Sequence, residues 1–370
     1  MKFSIDHTGT EAGLQLLLGQ LQHKDIQAVV IMSCVENGFT PHNIDPILKS
    51  YSKPVFGAIF PEIFAEGQRL KKGTICIGLE RPVHTLVLPD IKASHALIQD
   101  TLRQWAAEEI NTVFTFVDAF SPNITPFIES IFSVLGNGVN YLGGGSGNLA
   151  TGQAPCILTN EGLLQDAAIL LGTPLQCGIG VRHGWSSASG PVKVTESNGN
   201  KIISLDGKPA CDVYLKLIEE HKGHEVTKEM FSSLAQAHPF GIAKLDSEYI
   251  VRDPYEATEK DEIFCFGDIP QGSHVVLLKG NTDDLIAAAR QAKEDAKYRC
   301  PTSDKTITFF IDCISRARYM KDDFTKEIAA VKGNDALMIG ACTIGEIANS
   351  GTGYLEFYNK TAVVGIMSEE

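Results

Sequence analysis

Apolar residues recurring at three- and four-residue steps put Leu14, Leu17, Leu18 and Leu21 on one face, which predicts a helix over residues 11–22 with Thr10 as its N-cap. An apolar run at 28–32 predicts the strand that follows it. A second helix is expected after Asn43, whose side chain suits a cap, with Asp45 and Pro46 in the first turn. It leads into a strand at 54–59. Residues 91–110 return to the helical period, with Leu97, Ile98, Leu102 and Trp105 along the buried face. From 176 to 204 the period changes to two and Gly, Val and Ser become frequent, as antiparallel strands with tight turns require. SNGN at 197–200 and LDG at 205–207 mark the hairpins. Helices are predicted at 210–220 and 283–298, the latter with Leu285, Ile286, Ala289 and Ala296 facing inward. Between them, HPFGIAKL, EYIVRDP and EIFCFGDIPQGSHVVLLKG read as strands.

One layout occurs three times. A first strand (VVIMSC ending at Cys34, FTFVDA ending at Ala119, TFFIDC ending at Cys313) is followed by a helix-like segment. Then come an apolar pair, a glycine, a polar turn and a return strand, within 53–79, 139–172 and 335–367. Recurrence at such an interval signals a repeated supersecondary unit. The expected fold is therefore α/β (α+β), with mixed β-sheets flanked by helices and built in part from a strand-helix-Gly-turn-strand unit. A chain of 370 residues exceeds what one core usually serves. The apolar-poor stretch HKGHEVT at 221–227 is the expected boundary, giving domains 1–222 and 223–370.

Composition narrows the function. With 44% hydrophobic residues and no uncharged apolar run approaching the ~20 residues of a membrane span, no membrane segment is expected. The N-terminal MKFSIDHTGTEAG lacks a basic start before an apolar core, so a cytoplasmic address is expected. A net charge of −13 opposes nucleic-acid binding, which needs clustered cations to release counterions. The short basic groups, Arg69 with Lys71 and Lys72, and Arg316 with Arg318, are read as solvated faces. Nine scattered cysteines without a C-x-x-C pair read as reduced, buried thiols. His221 and His224 have no third partner nearby, so no metal site is expected.

GVRHGW (180–185), SLDGKPACDVY (204–214), VRDP (251–254), FGDIPQG (266–272), GEI (345–347) and FYNKT (357–361) occur in this order over most of the chain. In this the chain resembles the FIST-domain family, the paired FIST N and FIST C domains of bacterial and some eukaryotic signalling proteins. Two turns depart from the family pattern: Pro61 precedes Glu62 in the first, and Asn148 stands where an acid is frequent in the second. The resemblance implies two FIST domains meeting around a cleft that binds a small molecule. It implies output in trans, on a histidine kinase or a cyclic-dinucleotide enzyme. Some members are nitric oxide sensors that carry haem, so haem is one expected ligand and an amino-acid-like metabolite the other; a scaffold that takes no ligand is the third reading.

The candidate ligand-binding residues are Gly144, Ser146, Asn148, Arg252, Thr343, Glu346 and Asn359. GGGSGN at 143–148 reads either as a nest of free backbone N–H groups for an anion or as a tight turn lined by small residues. It matches neither a dinucleotide fingerprint nor a nucleophile elbow, since both need glycine where Asn148 stands. Glu346 is read as an anchor for an amino group, an acid/base, or a carboxylate that receives turn N–H groups. Arg252 and Asn359 supply further polar contacts. His183 is the candidate for haem iron, or else a hydrogen-bonded, half-buried side chain. No catalytic residue is assigned: Ser-His-Asp order, H-E-x-x-H and a P-loop are missing from the sequence, and the chain is not read as an enzyme.

Overall fold

In the computed structural model, which describes residues 2–106, 110–243, 248–301, 306–335, 337–349 and 353–368, one order of elements is traversed three times. The first pass is β1 (Lys2–Asp6), α1 (Glu11–Gln20), β2 (Ala28–Cys34), α2 (Pro41–Ser50), β3 (Val55–Phe60), the hairpin β4 (Glu62–Ala65) and β5 (Gln68–Leu70), and β6 (Thr74–Leu79). The second is β7 (His84–Leu88), α3 (His95–Trp105), β8 (Thr112–Asp118), α4 (Ile124–Leu135), β9 (Asn140–Ser146), the hairpin β10 (Ile157–Thr159) and β11 (Gly162–Leu164), and β12 (Ala168–Thr173).

The third pass opens with β13 (Cys177–Arg182) and is interrupted by an insertion. This comprises β14 (Ser186–Ser187), β15 (Val192–Asn198), β16 (Lys201–Leu205), β17 (Lys208–Pro209), α5 (Ala210–Lys222), α6 (Phe231–Ala237), β18 (Phe240–Ile242), β19 (Ile250–Ala257), β20 (Ile263–Phe266) and β21 (His274–Lys279). The pass then resumes with α7 (Thr282–Arg299), β22 (Thr306–Cys313), α8 (Ile314–Met320), α9 (Phe324–Lys332) and β23 (Leu337–Thr343). It ends with the hairpin β24 (Glu346–Ala348) and β25 (Glu356–Tyr358), and β26 (Ala362–Ser368).

Each unit makes a sheet in which the first strand lies parallel to the glycine strand and antiparallel to the return strand. The sheet is completed by a neighbour's hairpin. β10–β11 joins β3, β24–β25 joins β9, and β4–β5 joins β23, so the three units exchange hairpins in a ring. One glycine in each unit makes the close strand pairing possible. A Cβ on Gly57, Gly143 or Gly340 would lie 2.5, 1.8 or 1.7 Å from the carbonyl oxygen of its partner Ile31, Thr115 or Phe310. The insertion is antiparallel and closes on itself where β18 pairs β21; α5 and α6 supply Tyr214, Ile218, Phe231 and Leu234 to its core. Asp206 and Gly207, at φ 47° and 74°, form the expected LDG turn between β16 and β17. Residues 221–227 lie at the end of α5 and in the turn after it.

Four local expectations are corrected. The second helix begins at Pro41 behind Thr40, and Asn43 is the third helical residue, whose Oδ1 accepts from the Thr40 N–H at 2.7 Å: two polar residues three apart both suit a cap, and the earlier one took it. The third helix begins only at His95 and runs to Trp105, residues 107–109 of the expected span lying outside the described residues, and Leu97 is 59% exposed on it. Arg316 is not on a solvated face: it is fully buried between Asp312 and Glu327. Residues 143–146 are strand rather than turn, so their small side chains serve close packing. The nine cysteines are free thiols, eight of them buried, as expected from their apolar surroundings.

Candidate functional site

The insertion and the third unit enclose a pocket of about 150 Å³, enough for on the order of ten waters. α6 supplies Ser232 and Gln236, and β19 supplies Asp253 and Tyr255. α8 brings Ser315 and Arg318, and the turns at Ile344–Gly345 and Leu149 complete the wall together with Asn359. Two of the three repeated turns therefore meet at this pocket. The first does not, because Glu62 is engaged by Arg69 beside Phe324.

Charge in the pocket is fixed by a small network. Asp253 accepts from Ser315 Oγ at 2.5 Å and is paired with Lys360 Nζ at 3.1 Å. Lys360 is fully buried, with φ at 50°; it also donates to the Gln236 carbonyl and lies over the Trp185 ring at 5.4 Å. Asn359 Oδ1 accepts from the Asp253 backbone N–H at 3.3 Å. The pocket thus has a held carboxylate on one wall. Arg318, exposed at the rim, has no ion pair or hydrogen bond among the described residues.

Behind this wall, Glu346 is fully buried: Thr343 Oγ1 donates to Oε1 at 3.0 Å and the Thr361 N–H to Oε2 at 3.3 Å. Burial raises its pKa to about 8, against the lowering effect of those hydrogen bonds and of the Cys313 thiol. Desolvation wins over three donors, so the carboxyl is protonated at neutral pH. Cys313 itself is held well above the usual thiol range by burial, with the nearby Glu346 adding to the shift.

The sequence-derived candidates separate. Asn359 lines this pocket with Asp253, Thr343 and Glu346 lie bonded to each other behind its wall, and Gly144 pairs with Glu346 across β9 and β24. Gly144 has no Cβ because one would meet Thr343 and the Gly345 carbonyl. The N–H of Gly145 is taken by the Gly345 carbonyl at 2.8 Å, so the triple glycine holds a strand rather than an anion. Ser146 donates to the Val117 carbonyl, and Asn148 accepts from the Ala150 N–H in its own turn. Arg252 spends its guanidinium on the Asp268, Val251 and Phe357 carbonyls and borders a separate hollow of about 210 Å³ beside α4. Sequence reasoning missed Asp253 and Arg318. Asp253 hides inside the VRDP passage beside the more conspicuous arginine, and Arg318 has the sequence signature of an ordinary surface cation.

His183 is buried, and burial lowers its pKa. Its Nδ1 accepts from the Trp185 N–H at 2.8 Å, and its Nε2 lies 3.6 Å from the Glu248 carboxylate. It lines neither this pocket, nor the hollow beside α4, nor the apolar chamber at the centre of the three units.

That apolar chamber, of about 80 Å³, lies where the three units meet, lined by the first and return strands of all three and by the glycine strands of the first two. Among the described residues, no cluster of His, Cys, Asp or Glu could hold a metal ion, and no helix is long and apolar enough to cross a membrane.

An uncharacterised protein of Methanocaldococcus jannaschii is 24% identical over 142 residues, which is 36% of this chain. The match spans 27% of that relative's length. A FIST N domain is matched over residues 28–208 and a FIST C domain over 210–349, the junction falling between β17 and α5 within the insertion. FIST domains are sensory modules of signal transduction rather than catalytic domains. With these matches over most of its length, the chain belongs to the FIST-domain family.

Proposed function

We propose that this protein is a receptor for a small zwitterionic metabolite of the amino-acid class, bound in the pocket between the insertion and the third unit, and that occupancy is read by a signalling partner such as a histidine kinase or a cyclic-dinucleotide enzyme. The observation that carries this reading is that a held carboxylate, Asp253, and an uncommitted guanidinium, Arg318, line the same pocket. An ammonium group suits the first and a carboxylate the second, while Tyr255, Phe266 and Ile344 offer apolar surface to a side chain. Because the walls belong to two separately packed cores, a ligand touching both favours the arrangement in which they are closed. Only its differential affinity for that arrangement can drive output.

A thermal-shift panel of amino acids and related zwitterions tests the proposal. At one hundred times its Kd a ligand selective for the folded state adds about 2.7 kcal/mol to the unfolding free energy. The response should vanish in Arg318→Ala and in Asp253→Asn. A ligand whose effect survives both substitutions, or a Soret band on haem addition that depends on His183, refutes it.

A further inference from the structure

We infer that the central chamber is a second ligand site, for a short-chain alkyl carboxylate whose hydrocarbon end enters the chamber and whose head group meets Arg81. The chamber arises from the ring of units. Val30, Phe114 and Phe309 each stand one residue before the partner of the unit's glycine, and Met32, Phe116 and Ile311 each stand one after it. Side chains that converge from three equivalent strands reach toward a common axis without any one of them occupying it. Phe114 and Phe309 meet at 5.0 Å, and Phe116 packs on Phe56 at 4.6 Å, leaving the hollow between them.

The chamber is apolar in its depth and open at one end. Leu79, Val83 and Leu175 are only partly buried there, and the β6–β7 connection sets the exposed Glu80 and Arg81 at the rim. Glu80 has interactions of its own, whereas Arg81 has no ion pair or hydrogen bond among the described residues. A dry apolar hollow of 150 Å³ accepts a benzene-sized molecule, so 80 Å³ suits an alkyl group of about three or four carbons. The remaining carbons of a six-carbon chain would lie along the partly buried rim. A free cation beside an apolar opening selects an anionic head over a neutral one. Burial of the tail supplies affinity, and the guanidinium supplies preference.

Calorimetric titration of the full chain with butanoate, hexanoate, octanoate and 1-hexanol tests the site. Hexanoate should bind more tightly than butanoate and than hexanol. In Arg81→Ala, an exposed position that leaves the core intact, hexanoate should weaken about two- to fivefold, the range of an exposed ion pair, while hexanol is unchanged. In Val30→Phe, checked for folding by circular dichroism, both ligands should be lost. Arg318→Ala should leave hexanoate binding untouched, which separates this site from the polar pocket and from the reading attached to it. The inference is overturned if no alkanoate binds at roughly ten millimolar, if hexanol and hexanoate bind alike, or if Val30→Phe, once folded, binds hexanoate as the parent does.

Discussion

At the scale of single residues, two buried ionisable groups of the third unit resolve in opposite ways. Arg316 stays charged between Asp312 and Glu327, and its guanidinium also donates to the His183, Lys360 and Leu285 carbonyls. Glu346 has no ion pair among the described residues, and its burial outweighs the nearby Arg316, so its carboxyl is held toward the neutral form. Its folded-state pKa, about 8, lies above the ordinary 4.5, so the folded chain holds a proton that the unfolded chain has released between those values. The carboxyl therefore contributes most below about pH 4.5, and that contribution is lost as pH rises toward 8. Urea denaturation at pH 5, 6.5 and 8 should show Glu346→Gln gaining stability relative to the parent as pH increases. A difference between the two proteins that does not change with pH contradicts the assignment. The sequence marked Glu346 by its Gly345 neighbour, and that glycine, at φ 83°, is what turns the chain there. Neutrality was not legible, because it depends on burial of the carboxyl by segments far from it in sequence, β9 with Gly144 among them.

At the scale of elements, the parallel pairing of first strand and glycine strand is the joint on which each unit depends. Replacing Gly340 by Ala sets a methyl group 1.7 Å from the Phe310 carbonyl, which only a backbone shift can relieve. We expect a loss of about 3 kcal/mol or more, seen as a lowered urea midpoint. Gly19 is the control. It lies in α1 with nothing within 4 Å of an added Cβ, so Gly19→Ala should raise stability by about 0.5–1 kcal/mol. Equal effects at the two positions would mean that helix and strand propensity alone govern them. Periodicity disclosed α1, α5 and α7 because each turns one apolar stripe to a sheet, with Thr10 capping α1 through the Gly13 N–H. It misplaced Leu97, since the stripe on α3 runs through Ile98 and Leu102, and a lone leucine beside it is compatible with either face.

At the scale of the whole molecule, the hairpin exchange binds the units to one another. β13 closes on β26, β4 on β23 and β24 on β9, and each of these pairings crosses the junction between the FIST N and FIST C segments. Separating the chain between residues 208 and 209 strips edge strands from sheets on both sides. Neither half alone should show a cooperative thermal transition by circular dichroism, whereas the joined chain should; a half that melts cooperatively alone rules out this interdependence. The sequence by itself determined the threefold layout of strand, helix, glycine turn and return strand, the buried thiols and the family, because apolar period and glycine placement are local properties of the chain. It could not determine which hairpin completes which sheet, that Asp253 and Arg318 line one pocket, or that a hollow remains where the units meet. Those features depend on contacts between segments far apart in sequence, and only the closed ring of strands brings such segments to within a few ångströms.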